Sequence, residues 1–363
     1  MKNLIRKNIL GLAPYIPGKP IDEVKRQLGL KEVIKLASNE NPLGASTKAM
    51  DAIKKALKQI NRYPDGSCFY LKNALARQLK LKAENLIFGN GSDELIDIII
   101  KTFVEDGQNI VTADKTFLEY GIICRVNGRK ILEAPLKYFR YDLEAIKKKI
   151  NKKTKVIFIA NPNNPTGTYV NKYEVLDFLK NIPKNVVVVF DEAYDLFVDV
   201  EDFPDSLRLL NKNNNIIILK TFSKAFGLAG LRIGYAIAGQ ELIRYMEKVR
   251  QPFNVNSLAQ AAAVAAISDK EFLKDTRNAI LKGKQYLYNA LDKLGLSYVL
   301  TVANFMLVDV ARDSTTVFKE MLKHGVIVRD MKEYGMKNFI RVTIGTKQEN
   351  ERFMKVLRKV MKI

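Results

Sequence analysis

Lys224 stands in ILKTFSKAFGLAGLRIGYAIA, residues 218–238, after one apolar run and before a second that begins with Arg232. A lysine at the end of a buried strand is costly unless its amine has a task, such as attacking a carbonyl or carrying a proton; a surface lysine is the plain alternative. Thr221, Ser223 and Arg232 surround it with two hydroxyls and a guanidinium, a set that suits a phosphate. Four other segments carry comparable groups. GNGSDELI puts glycines before Ser92 at a helix start, where free N–H groups and the helix dipole favour an anion, although a plain strand-turn-helix reads the same way. NPNNPTG, residues 161–167, is a stiff loop that could hold Asn161 in place or could be only a turn. In FDEAY, Asp191 follows four valines and a phenylalanine, as a buried functional carboxylate or as a helix cap. Arg341 lies inside the apolar run FIRVTIGT and needs a buried or ligand-borne anion.

Positioning these groups requires a regular scaffold, and the sequence describes one. STKAMDAIKKALKQIN places Met50, Ile53, Leu57 and Ile60 at helical spacing behind Ser46 or Thr47 as cap, and FYLKNALARQLKL repeats the pattern with Leu71, Leu75 and Leu79. Strands and helices then alternate: NLIFGN, a helix opening at Ser92, NIVTAD, a helix near 117–126, KVIFIAN, a helix near 171–181, VVVVFDEAY, IIILKTFS and RIGYAIA. Unbroken apolar runs such as VVVVF indicate burial on both faces, which predicts an α/β architecture with a mostly parallel sheet covered by helices. Ligands of such sheets lie at the carboxyl ends of the strands, where Asn161, Asp191 and Lys224 fall. From about residue 271 a long charged helix, the short strands NFMLVDV, VIVR and FIRVTI and a final helix predict a smaller α+β domain. The expected division is an N-terminal arm over 1–30 that joins the small domain, a large domain over 31–270 and a small one over 271–363.

Composition removes several classes of chemistry. The 363 residues contain one histidine, His324, in the lysine-flanked segment KEMLKHGV, so histidine triads, histidine zinc sites and histidine general bases are excluded in practice. Cys68 and Cys124 cannot build a disulfide framework and lack zinc-ligand spacing, so no metal is expected and the default setting is reduced and cytoplasmic. The opening residues lack the apolar core of a signal peptide, and no run is long enough to span a membrane. A net charge of +21 admits a nucleic-acid partner, but the lysines are spread along the polar faces of helices; a field that favours small anions is the reading that survives.

A lysine for a carbonyl, a carboxylate for a pyridinium nitrogen, a phosphate cradle, a group for a phenolate oxygen and an arginine for a substrate carboxylate are together what pyridoxal phosphate chemistry requires. Four blocks carry a resemblance over essentially the whole chain: VIKLASNENPLG (33–44), RYPDG with FGNGSDELI (62–66 and 88–96), NPNNPTG with DEAY, and TFSKAFGLAGLRIGY. On these the chain resembles the fold-type-I, pyridoxal-phosphate-dependent aminotransferases, and within them the histidinol-phosphate branch. The resemblance implies a large domain with a seven-stranded type of sheet and a smaller C-terminal domain.

It also implies roles. Lys224 matches the lysine that bonds the cofactor aldehyde and later moves the proton at the substrate carbon, which requires a lowered pKa. Asp191 resembles the partner of the pyridine nitrogen, and Asn161 with Tyr194 the pair on the phenolate oxygen. Ser92 and Asp93 by backbone, and Thr221, Ser223 and Arg232 by side chain, match the phosphate cup; Phe117 in KTFLEY matches the ring that stacks on the cofactor. Lys115 replaces the proline usual in that loop. Tyr63 matches a tyrosine that reaches the phosphate in the neighbouring subunit of a homodimer. Arg341 matches the grip on the carboxylate of glutamate, and Arg329, Tyr15 and Asn39 match further substrate contacts, Arg329 and Tyr15 those for the phosphate of histidinol phosphate. The expected reaction exchanges the amino group between histidinol phosphate and 2-oxoglutarate in histidine biosynthesis. The alternatives are an aromatic or broad-range aminotransferase of the same branch, a threonine-phosphate decarboxylase, and a basic nucleic-acid-binding protein on the same fold.

Overall fold

The computed structural model of the chain describes residues 2–13 and 18–363. After a short strand, β1 (Ile34–Lys35), come β2 (Leu86–Gly89), β3 (Asn109–Ala113), β4 (Lys130–Ala134), β5 (Thr154–Ala160), β6 (Val187–Asp191), β7 (Ile216–Thr221) and β8 (Gly234–Ala238). These last seven form one sheet in the order β2-β8-β7-β6-β5-β3-β4. Only β8 runs against its neighbours; every other pair is parallel. The valine and isoleucine runs explain this: Val188, Val189, Ile216, Ile217 and Ile218 are all fully buried, so successive side chains enter the core on both faces of the sheet. Such runs can be solvated on neither side, and helices cover both.

The reversed strand has a consequence for the site. Thr221 at the end of β7 pairs with Gly234 at the start of β8, and Gly89 at the end of β2 pairs with the same glycine. Arg232, two residues before β8, is thereby brought to the edge where β2, β5, β6 and β7 end. Space there is tight. A Cβ on Gly234 would lie 2.8 Å from the Ser92 nitrogen. One on Gly227, whose φ is +69°, would lie well inside contact distance of the Gly44 carbonyl oxygen.

The C-terminal portion has the antiparallel sheet β12-β13-β10-β9, made of β9 (Tyr298–Val299), β10 (Phe305–Asp309), β12 (Arg329–Asp330) and β13 (Phe339–Thr343), while β11 (Val326–Ile327) pairs with β1. Helices Lys270–Lys293 and Lys347–Met361 pack on it around Phe305, Met306, Val342 and Phe353. The N-terminal segment divides its contacts. Asn8 donates to the Arg125 and Val126 carbonyls at the end of helix Leu118–Val126, whereas Val24 and Ala37 pack with Leu322 and Ile327.

Ser46 caps helix Thr47–Ala56 by accepting the Ala49 N–H. The expected apolar face of that helix differs from the structure: Met50, Leu57 and Ile60 are 44%, 48% and 64% exposed, and Ala49 is the fully buried residue. The partner is the alanine-rich helix Ser257–Ser268, whose small side chains let the two backbones approach and leave the larger residues outside. Among the described residues, no helix is long and apolar enough to cross a membrane.

Candidate active site

A cavity of about 260 Å³ opens at the carboxyl edge of the large sheet, where the C-terminal sheet faces it. Lys224, in the loop between β7 and β8, lines it, and its Nζ donates to the Ser38 carbonyl at 3.2 Å and stands 5.7 Å from the centre of the Tyr194 ring. The loop is held by Asn41, whose Nδ2 donates to the Ala225 carbonyl at 2.9 Å. Burial, with the guanidinium of Arg341 added, brings the Lys224 amine down to about 8. A fraction of the amine is thus neutral near pH 7.

Asp191 ends β6 and faces the same cavity. Burial raises its carboxyl to about 6, against hydrogen bonds from Tyr120 and the Ala193 N–H. Tyr194 accepts a hydrogen bond from Asn39 Nδ2 at 2.9 Å, and burial raises its phenol, so it keeps a proton to donate. Asn39 is in the left-handed region at φ 56°, a conformation that asparagine tolerates, and its own N–H donates to Thr343 Oγ1 at 2.9 Å.

An anion site occupies one end. Helix Gly91–Phe103 points its N-terminus at the cavity, with Ser92 and Asp93 in its first turn beside Thr221, Ser223 and Arg232. Arg232 donates to Asp93 Oδ2 at 3.1 Å and to the Ala229 carbonyl at 3.2 Å. Gly91 is required here, since its φ is +81° and a Cβ would come within 2.6 Å of the Arg232 Nη2. Free N–H groups, the helix dipole, hydroxyls and a guanidinium meet in one cradle.

The opposite wall carries Arg329 and Arg341. Arg341 is 6% exposed, donates through Nη2 to the Ala37 carbonyl at 2.7 Å and through Nη1 to Asn164, and its buried Nε has no partner among the described residues. Arg329 donates to Glu333 at 2.7 Å. Phe117 lines the cavity as expected, and Lys115, in place of proline, pairs with Asp114 without displacing it.

One expectation needs correction. Asn161 does not line the cavity: both ends of its amide are taken by the backbone of Val170, at 3.1 and 2.9 Å. Asn164, three residues on in the same loop, lines the cavity instead and meets Arg341; composition alone could not say which asparagine would face inward. Tyr63 is 84% exposed and stacks on Phe253 at 4.9 Å, away from the cavity of its own chain. Tyr15 lies outside the described residues.

Sequence reasoning also missed Tyr120, which donates to Asp191, Glu40, which lines the cavity, and Lys220. Tyr120 was signalled by its position three residues after Phe117, on the same helical face. A lysine inside IIILKT was the signal for Lys220, which is half-buried and donates to Glu192 at 2.8 Å and Asp195 at 2.5 Å.

A partly neutral lysine, a buried carboxylate and a cluster of anion-binding groups surround one cavity. A histidinol-phosphate aminotransferase of Moorella thermoacetica is 50% identical over 98% of this chain and 92% of its own length. One from Caldicellulosiruptor saccharolyticus is 45% identical over 99% of this chain and 100% of its own. The crystal structure of the Sinorhizobium meliloti histidinol-phosphate aminotransferase in complex with pyridoxal-5'-phosphate superposes with a TM-score of 0.91 at 28% identity, covering 99% of this chain and 97% of that one. The architecture is accordingly the fold-type-I aminotransferase fold, a mostly parallel large sheet with a smaller C-terminal sheet. Residues 31–357 match the profile of Aminotransferase class I and II, and the chain belongs to that family.

Proposed function

We propose that the chain transfers the amino group between histidinol phosphate and 2-oxoglutarate, giving imidazole-acetol phosphate and glutamate, with pyridoxal 5'-phosphate as cofactor, in L-histidine biosynthesis. The relatives named above and the cavity support this together. The carrying observation is that Lys224, Asp191, the Ser92–Arg232 cradle and the two arginines Arg329 and Arg341 line one cavity.

The residues fit the cofactor. Ser92, Asp93, Thr221, Ser223 and Arg232 would hold its phosphate, in a cradle that a Cβ at Gly91 or Gly234 would fill. Asp191 would hold the proton on the ring nitrogen, Phe117 would cover the ring, and Tyr194 with Asn164 would serve its phenolate oxygen. When bound, pyridoxal phosphate supplies the electron sink for bond breaking at the substrate carbon. Lys224, neutral above about pH 8, carries the proton at that carbon. Arg341 binds the α-carboxylate of glutamate from the wall of the cavity. Arg329 and Tyr15 would receive the phosphate of histidinol phosphate.

Tyr63 is exposed together with Leu57, Ile60, Phe69 and Tyr70 on one stretch of chain, which supports a homodimer in which Tyr63 reaches the phosphate of the neighbouring site. Both cysteines are buried free thiols, in keeping with a cytoplasmic setting.

Steady-state formation of glutamate from 2-oxoglutarate, with histidinol phosphate, phenylalanine and tyrosine as separate donors, tests the assignment. A kcat/KM at least about tenfold higher with histidinol phosphate is expected. Equal values with the aromatic amino acids would make it a broad-range aminotransferase.

A further inference from the structure

The two oxygens of Asp191 are held by different parts of the chain. Oδ1 accepts the N–H of Ala193 at 3.1 Å, a local bond two residues long, whereas Oδ2 accepts the Tyr120 hydroxyl at 2.6 Å from a separate helix, Leu118–Val126. Tyr120 has little freedom of its own. It is fully buried, its ring stacks on Phe158 with centres 4.8 Å apart, and it meets the Phe117 ring edge-on at 5.6 Å. Phe117 lines the cavity, so one helix end supplies both the aromatic wall and the donor to the carboxylate. Burial, with Asp93 and Glu192 adding to it, pushes Asp191 toward its neutral acid, and the Tyr120 bond leads the interactions that oppose this. The Tyr120 phenol itself is held far above its ordinary value by burial, which keeps it a donor at any working pH.

We propose that Tyr120 is a positioning residue for the cofactor nitrogen, its hydroxyl holding Asp191 ionised and in one orientation. This rests on the reading of Asp191 as the partner of that nitrogen, given above. A carboxylate that must bind a pyridinium has to remain charged in a buried place, and a short hydrogen bond from a neutral donor achieves this without a competing cation. Replacing the hydroxyl removes the bond while keeping the ring and its stacking.

The test is the dissociation constant of pyridoxal phosphate, measured by visible titration of the wild type, Tyr120→Phe, Asp191→Asn and the double variant, with apo-protein melting temperatures alongside. Tyr141→Phe is the control, because that phenol is also fully buried but bonds Thr116 and Thr112 rather than Asp191. Tyr120→Phe is expected to weaken binding about tenfold, to do so less than about twofold in the Asp191→Asn background, and Tyr141→Phe to leave binding unchanged. An unchanged dissociation constant in Tyr120→Phe would overturn the proposal, and so would a tenfold loss that persisted in the Asp191→Asn background, since that loss would come from packing. Failure of the wild type to bind pyridoxal phosphate would overturn the underlying functional reading instead.

Discussion

Arg329 on β12 and Arg341 on β13 stand directly opposite one another across two antiparallel strands, and both face the same cavity. Like charges in such a pair are unfavourable, and neither is buried without help: Arg329 meets Glu333, and Arg341 meets the uncharged acceptors Asn164 and Ala37. Two fixed cations on one wall, one of them without a carboxylate, make a site that an anionic substrate completes.

That pairing separates the two halves of the reaction. Arg341→Ala should lower kcat/KM for glutamate by about 100-fold, the scale of a lost charge-assisted bidentate contact, and for histidinol phosphate much less, because histidinol phosphate has no carboxylate. Single-turnover rates with each amino donor check this. Equal losses would mean that Arg341 acts through Asn164 and the fold.

Lys224 should show its lowered pKa before any cofactor is present. Competitive acetylation of the cofactor-free chain, read by mass spectrometry, should give a Lys224 reactivity that rises with pH and levels above a midpoint of about 8. Surface lysines should keep rising toward about pH 10. A Lys224 profile that followed theirs would remove the basis for its role.

Asp191 makes a prediction of opposite character, on stability. Burial pushes its carboxyl up to about 6 in the folded chain, against 3.8 for an ordinary aspartate, so folding favours the protonated form. That contribution is present at about pH 4 and is lost as pH rises through about 6. In the cofactor-free chain, the stability of Asp191→Asn relative to wild type should therefore rise between about pH 4 and about pH 7.5, by on the order of 3 kcal/mol. Urea unfolding at the two pH values measures it, and a difference that did not change with pH would contradict it.

Much of this was legible in the sequence because the signals were local and strong. Runs such as VVVVF and IIIL have nowhere to go but a sheet buried on both faces, and that sheet puts Asp191 and Lys224 at one edge. What could not be read was fixed by contacts between distant segments. Asn161 and Asn164 are alike in sequence, and only the backbone of Val170 decides that the first turns away. Met50, Leu57 and Ile60 follow a helical period, yet the face that packs is chosen by the alanines of Ser257–Ser268. The reversal of β8, which brings Arg232 beside Ser92 and Thr221 at the cavity, is set by its pairing with β2 and β7.

The most direct measurement is amino transfer by Lys224→Ala, loaded with pyridoxal phosphate, from histidinol phosphate to 2-oxoglutarate. The expected result is a folded protein that still takes up cofactor in the Ser92–Arg232 cradle and loses at least about 10³-fold in kcat. Turnover within about tenfold of the wild type would contradict the account, because proton movement at the substrate carbon would then not depend on this lysine.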